Sequence, residues 1–229
     1  MIEALVFDLD GTIVQQAPDN RACSRAMSAL YLEYGHHVPH EALYDKWTTS
    51  TVPLSSEEVW IEFEQPVGQP VGPDVRARLV PLMVELAVHG EPIRGDAGRR
   101  RDLKAARDMG MRIGLATGSS LEWARPALER NGLLHAFDCL SSAHDVERPK
   151  PAPDVYLAAL RQLEAAPSRT VAFEDTAVGI AAAKAAGLRC VAVESAKEAH
   201  ELSGADLRIA SLASLPLARI LSTVGASDG

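Results

Sequence analysis

The stretch Ala4-Leu5-Val6-Phe7-Asp8-Leu9-Asp10-Gly11-Thr12 decides the fold. A short apolar run rich in strand formers meets an acid, a leucine, a second acid and a glycine. That is how a buried strand ending in a turn reads. Strand side chains at i and i+2 share a face, so Asp8 and Asp10 look toward one ligand if the extended geometry persists. Two carboxylates at an apolar strand end need a metal, protons or solvent. Magnesium suits them because it takes oxygen ligands and keeps waters and substrate phosphate in its shell. Gly11 lets the chain turn with no side chain in the way. Taken alone, the same DxDG reads more often as a solvated turn.

Outward from this stretch, strands are expected at Met111–Ala116, Ala136–Leu140, Thr170–Phe173 and Cys190–Val193, with Leu207–Ile209 as a sixth. Helical patterns separate them. Asp96–Met109 ends before Gly110, and Ser119-Ser120-Leu121-Glu122 reads as a capping box for a helix stopping near Gly132. Pro153–Leu163 carries Pro and Asp in its first turn, and Thr176–Ala186 closes at Gly187. This alternation implies βαβ units, a mostly parallel sheet, right-handed crossovers and ligands at the carboxyl ends of the strands.

One interval breaks the rhythm. About 80 residues separate the first strand from Asp96, where a βα loop normally takes 2–6. Helical spacing at Asp19–Tyr34, His40–Trp47, from Ser55 onward and at Asp74–His89, with Pro66–Pro73 as a loop, makes residues 15–94 an inserted helical domain. Residues 1–14 and 95–229 form the α/β domain.

Composition excludes several classes. In 229 residues, 23 Lys and Arg face 31 Asp and Glu, for a net charge of −8, so neither nucleic acid nor a membrane surface is an expected partner. Three widely spaced cysteines, Cys23, Cys139 and Cys190, make a disulfide framework or thiolate zinc site unexpected. The N-terminal run reads as neither a signal peptide nor a membrane span, and a cytoplasmic location is expected.

Further chemistry gathers at the predicted strand ends. Glu174 and Asp175 follow the fourth strand; if it neighbours the first, four carboxylates converge, although Glu-Asp before a helix is also an ordinary cap. Thr117, Gly118 and Ser119 offer hydroxyls and backbone N–H groups to an anion at a helix start, or simply cap it. Lys150 is stiffened between Pro149 and Pro151. A carboxylate nucleophile, a second carboxylate, a metal, a hydroxyl and a lysine suit phosphoryl transfer through an aspartyl-phosphate.

FDLDGT, ATGSS, RPKPAPD and FEDT, in that order, resemble the four motifs of the haloacid dehalogenase superfamily, closest to its phosphatase and β-phosphoglucomutase-like members with a helical cap. The resemblance covers residues 1–14 and about 95–229. It implies an α/β core with a three-layer, doubly wound parallel sheet, and residues 15–94 as a cap that closes over the core and selects substrate. It further implies Asp8 as nucleophile and Asp10 as general acid and base. Magnesium would be held by Asp8, the Asp10 carbonyl and Asp175, with Glu174 in support. Thr117, Lys150 and the amides of Gly118 and Ser119 would bind the phosphoryl group. A dehalogenase would lack the acid at position 10.

The cap departs from the family pattern at Gln15 and Gln16, and Asn20 stands where the mutases carry a histidine, which favours hydrolysis over the phosphomutase alternative. Candidate substrate contacts are Gln16, Asn20, Arg21, Lys46, Trp47 and Thr48, although Trp47 reads more readily as packing between cap helices and Lys46 as a solvated cation. Receiver domains share acids, lysine and magnesium, but they lack an inserted domain and carry their acceptor on an interior strand; a non-catalytic phosphate-binding relative would have no need of the charge cluster. The expected activity is a magnesium-dependent phosphatase acting on a small phosphorylated metabolite, a sugar phosphate first and phosphoglycolate second, as monomer or homodimer.

Overall fold

The computed structural model describes residues 2–14, 20–49, 56–89, 97–194, 202–214 and 216–225. Contacts divide the chain into two compact units, Met1–Gln16 with Ile93–Gly229, and Ala17–Pro92. In chain order the strands are β1 (Ala4–Phe7), β2 (Arg112–Thr117), β3 (Cys139–Ser142), β4 (Thr170–Glu174), β5 (Arg189–Val193) and β6 (Leu207–Ile209). The helices are α1 (Asn20–Glu33), α2 (His40–Thr49), α3 (Ser56–Val67), α4 (Pro73–His89), α5 (Ala97–Asp108), α6 (Leu121–Arg130), α7 (Asp154–Leu163), α8 (Ala177–Ala185) and α9 (Leu217–Gly225).

The first unit is an α/β fold around one parallel sheet in the order β3-β2-β1-β4-β5-β6. β1, wholly buried, reads as an unbroken apolar run because helices cover both faces of the sheet. Ala4 and Val6 pack with Val155, Tyr156 and Leu160 of α7 and Ile180 and Ala183 of α8. Phe7 points the other way and stacks on Phe173 of β4, ring centroids 4.6 Å apart. The chain runs from β1 to β2 and β3 on one side, then returns to lay β4 on the other. That reversal puts the switch point of the doubly wound sheet between β1 and β4, where a crevice opens outside the strand ends.

Two local expectations are corrected. The third strand begins at Cys139, after a 3-10 turn over Leu134–Ala136, rather than at Ala136. The Asp138 carboxylate accepts the Ile113 N–H at 2.7 Å, so a side chain takes the bond that earlier strand pairing would use. The N-cap of α6 is Ser120, whose hydroxyl accepts from the Trp123 N–H, and not Ser119.

The second unit contains α1 to α4. Its core is Met27, Leu30, Tyr31, Leu43, Trp60, Phe63 and Val71. Tyr31 stacks on Phe63 at 4.2 Å, and Trp60 meets the same ring edge-on at 5.6 Å. Pro66 lies in the last turn of α3 and Pro73 opens α4, so the loop between them is shorter than the sequence pattern implies.

Candidate active site

The hydrogen-bond ladder of β1 continues one residue past the strand, with the Asp8 N–H donating to the Phe173 carbonyl at 2.9 Å. This carries Asp8 level with Glu174, the last residue of β4. Beyond Asp8 the backbone curls: Ile13 and Val14 both donate to the Leu9 carbonyl, and Gly11 takes φ +87°. A Cβ at Gly11 would sit 1.8 Å from Asp175 Oδ2, so position 11 needs glycine for space as well as for its dihedral. Asp8, Glu174 and Asp175 are all buried, and each offers an oxygen within 4.8 Å of the others. Three hard oxygen donors converging on one point fit a cation of the magnesium kind.

Lys150 reaches this cluster from between two prolines. Its ammonium donates to Asp8 Oδ1 at 2.7 Å, Glu174 Oε1 at 2.6 Å and the Ala116 carbonyl at 3.0 Å. Those are all three of its protons. The ammonium also lies 5.2 Å from the centre of the Tyr156 ring. Tyr156 is fully buried, and its hydroxyl donates to the same Glu174 Oε1 at 2.7 Å. Glu174 Oε2 accepts from the Asp175 N–H at 3.2 Å and the Thr176 hydroxyl at 3.3 Å, so four donors hold one carboxylate.

Burial pushes the Asp8 carboxyl well above the ordinary carboxylate range; Lys150 pulls it down, while Glu174 and Asp10 push it further up. Burial works against the Lys150 ammonium, but Asp8 and Glu174 outweigh it and hold its pKa above the usual lysine value. Burial, then the neighbouring Glu174 and Asp8 charges, raise Tyr156 well above its normal value, which keeps it a neutral donor. A low-dielectric site rich in carboxylates with a single ammonium attracts a further cation.

Asp10 stands apart from that network. Its Oδ2 accepts from the Ser119 hydroxyl at 2.6 Å and its Oδ1 from the Trp123 indole N–H at 3.2 Å. Burial raises its pKa and these two hydrogen bonds oppose the rise. Thr117, fully buried at the end of β2, accepts the Ser119 N–H at 3.0 Å.

The residues predicted from sequence therefore fall into three groups. Asp8, Lys150, Glu174 and Asp175 meet in one cluster, and Asp10, Thr117 and Ser119 are joined by direct hydrogen bonds, with Gly118 between Thr117 and Ser119 in the chain. Ser119 directs both its hydroxyl and its N–H to protein partners. Lys46 is exposed in the last turn of α2, in the helical unit. Gln16 and the side chains of Asn20, Arg21, Trp47 and Thr48 lie outside the described residues. Sequence reading missed Tyr156, Trp123 and Gly179. A Cβ at Gly179 would fall 2.0 Å from the Glu174 carboxyl, so the first turn of α8 is bare to admit that side chain. A glycine inside an alanine-rich helix was the available signal.

The chain is similar to known proteins over nearly its whole length. Protein CbbY of Cereibacter sphaeroides is 32% identical over 226 residues, covering 94% of each chain. Validoxylamine A 7'-phosphate phosphatase of Streptomyces hygroscopicus subsp. limoneus is 30% identical over 213 residues, covering 93% of this chain and 95% of the relative. A crystal structure of mutant CbbY from Rhodobacter sphaeroides in complex with xylulose-(1,5)bisphosphate superimposes with a TM-score of 0.74 at 29% identity, covering 94% of this chain and 96% of that one. The model of the haloacid dehalogenase-like hydrolase family matches residues 2–187. With relatives named as phosphatases over nearly its whole length, the chain belongs to the haloacid dehalogenase-like hydrolases, among their phosphatases.

Proposed function

We propose that this phosphatase hydrolyses a small sugar phosphate through a phosphoryl group carried on Asp8. The observation that carries the reading is the Lys150 ammonium shared between Asp8 and Glu174 at the switch point of the sheet. A carboxylate attacks phosphorus only while ionised, and Lys150 favours that form of Asp8 against the burial that opposes it. The Asp8 oxygen forms a bond to phosphorus as the bond to the sugar oxygen breaks, and Asp10 delivers a proton to that oxygen. Water then attacks the phosphoryl group, Asp10 takes its proton, and phosphate and free Asp8 result. Thr117, Lys150 and the amides of Gly118 and Ser119 hold the phosphoryl oxygens; Lys150 and Ser119 exchange a protein acceptor for the ligand as they do so. Asp8, Asp175 and Glu174 would hold magnesium, with the Asp10 carbonyl, and the bound ion would offset repulsion between a phosphate dianion and the carboxylates.

The sugar-phosphate class is supported by the xylulose bisphosphate bound to a related structure and by a relative named for a 7'-phosphate. Residues 15–94 serve as the cap that selects among such substrates, with Gln16, Asn20 and Lys46 as the proposed contacts. The test is phosphate release across a panel of sugar phosphates, with magnesium and with EDTA, using Asp8→Asn as the blank. Magnesium-dependent release, lost by at least about 10⁴-fold in the variant, is expected. Release that survives Asp8→Asn removes the nucleophile assignment. Isomerisation of a sugar phosphate without release turns the reading to a phosphomutase.

A further inference from the structure

Asp10 holds none of the contacts that organise the Asp8 cluster among the bonds described above; its carboxylate is gripped instead by two side chains of the β2–α6 segment. Ser119 donates to one oxygen at 2.6 Å and Trp123 to the other at 3.2 Å. The donors are themselves fixed. Ser119 receives the Ser142 hydroxyl on its carbonyl at 2.8 Å, which ties the loop to the end of β3. Trp123 is 5% exposed, and its N–H on the backbone caps α6 against Ser120. An indole nitrogen donates and never accepts, and once buried it needs a partner. In this fold that partner is the carboxylate of Asp10.

We propose that Trp123, together with Ser119, is a positioning residue that holds Asp10 where it exchanges a proton with the leaving oxygen of the substrate. The inference rests on the assignment of Asp10 as general acid under the proposed function. A carboxyl on a turn beyond a strand end has free rotation about χ1 and χ2. Two donors from a rigid helix start remove that freedom, so the group is oriented before substrate arrives. Ser119 can donate or accept as Asp10 gains and loses its proton, whereas Trp123 stays a donor throughout. The indole therefore acts as the fixed point and the serine as the adjustable one.

The step itself supplies a readout that packing alone does not move. When the Asp8 oxygen bonds to phosphorus, the electron pair of the breaking P–O bond passes to the leaving oxygen. An alkoxide must be protonated as it forms, by Asp10, which becomes a carboxylate. A p-nitrophenolate leaves stably without a proton. kcat/KM reports events up to phosphoryl transfer to Asp8, so the later hydrolysis, common to all esters, drops out.

The experiment measures kcat/KM on glycerol 2-phosphate and on p-nitrophenyl phosphate, with magnesium, for the whole chain and for the variants Asp10→Asn, Trp123→Phe and Ser119→Ala. Asp10→Asn calibrates the split: a loss of about 10²-fold or more on the alkyl ester is expected, against under about tenfold on the aryl ester. Trp123→Phe is expected to lose about tenfold on glycerol 2-phosphate and under about twofold on p-nitrophenyl phosphate, the size of one hydrogen bond to a charged group. Ser119→Ala, which opens no large cavity, is expected to show the same split. Equal losses on both esters in Trp123→Phe and Ser119→Ala, with the split intact in Asp10→Asn, overturn the positioning role and leave packing. No split in Asp10→Asn overturns the general-acid assignment and the proposal with it.

Discussion

At the carboxyl end of the sheet the α/β unit buries Asp8, Glu174 and Asp175 beside a lysine whose side chain is 10% exposed. In the helical unit the buried cluster is Met27, Leu30, Tyr31, Leu43, Trp60, Phe63 and Val71, with Ser24 and Ala26 also buried, and its ion pairs among the described residues, Arg76–Glu64, Arg78–Glu33 and His40–Glu41, are half-buried or exposed. Burying charge opposes stability unless every group is matched, whereas burying rings favours it directly. The α/β unit thus carries groups that a purely structural core would not keep, and a carboxylate cluster of this kind belongs to chemistry. The helical unit is held by an aromatic and aliphatic cluster instead.

The contrast breaks most readily at Lys150. Lys150→Met keeps much of the aliphatic stem and removes the cation, leaving Asp8 and Glu174 facing each other in a buried site. A loss of about 3–5 kcal/mol of stability in EDTA is expected, with turnover down by at least about 10³-fold. Denaturant melts and phosphate release check both. If magnesium restores most of the stability but none of the turnover, the lysine and the cation share the task of holding the carboxylates together. A variant as stable as the parent in EDTA would mean that the cluster is protonated and neutral.

The corresponding test of the helical unit is Phe63→Ala. Phe63 is fully buried and touches Tyr31, Tyr34 and Trp60. Its removal is expected to cost about 3–4 kcal/mol by denaturant unfolding, from lost burial and a residual cavity. A loss under about 1 kcal/mol would show that the rings repack and that the unit is not held by this cluster.

Much of this contrast was legible in the sequence. The strand–helix alternation, the inserted helices and the four motifs all depend on short-range signals, apolar runs, caps and turn glycines, that local physics dictates. The pairing of β1 with β4 is different, because it joins residues some 165 apart, Phe7 with Phe173, and no local pattern encodes it. Once that pairing is known, Glu174 must stand beside Asp8. Tyr156 and Trp123 are buried aromatics on α7 and α6 that no motif marks. Only their polar atoms, a hydroxyl on Glu174 and an indole N–H on Asp10, give them a second role. Ser119 reads in the sequence as an anion ligand through its hydroxyl and amide; the bond from its hydroxyl to Asp10, 109 positions away, has no local signal.

Gly179→Ala sharpens the comparison at a single atom. In an ordinary helix the change stabilises by about 0.5–1 kcal/mol. In α8 the new methyl would overlap the Glu174 carboxyl, which cannot swing aside without leaving Lys150, Tyr156, Thr176 and the Asp175 N–H. The sign is therefore expected to reverse, to a loss of about 1–3 kcal/mol, accompanied by a lower apparent magnesium affinity in phosphate-release assays. A stabilised, fully active variant would show that Glu174 is free to move.

The smallest expected effect separates functional from structural charge within the α/β unit itself. Asp206, before β6, accepts both bonds from Lys184 at 2.7 Å and the Cys190 N–H at 2.7 Å. Partial burial alone would raise its pKa, but Lys184 and the Cys190 N–H outweigh it and hold the carboxyl below the usual range. A group whose folded pKa is depressed contributes fully above its unfolded value, about 3.9, and loses that contribution as pH falls through the lower folded value. The stability gap between the parent and Asp206→Asn should then be constant from pH 7 to 5 and narrow toward pH 3, in thermal melts with turnover at neutral pH unchanged. A gap that stays the same at pH 3 would assign the effect to the shape of the amide and not to the carboxylate charge. Turnover that falls with the substitution would mean that the edge of the sheet is coupled to the crevice between β1 and β4, and the division between charges that hold the fold and charges that do chemistry would have to be redrawn at β5.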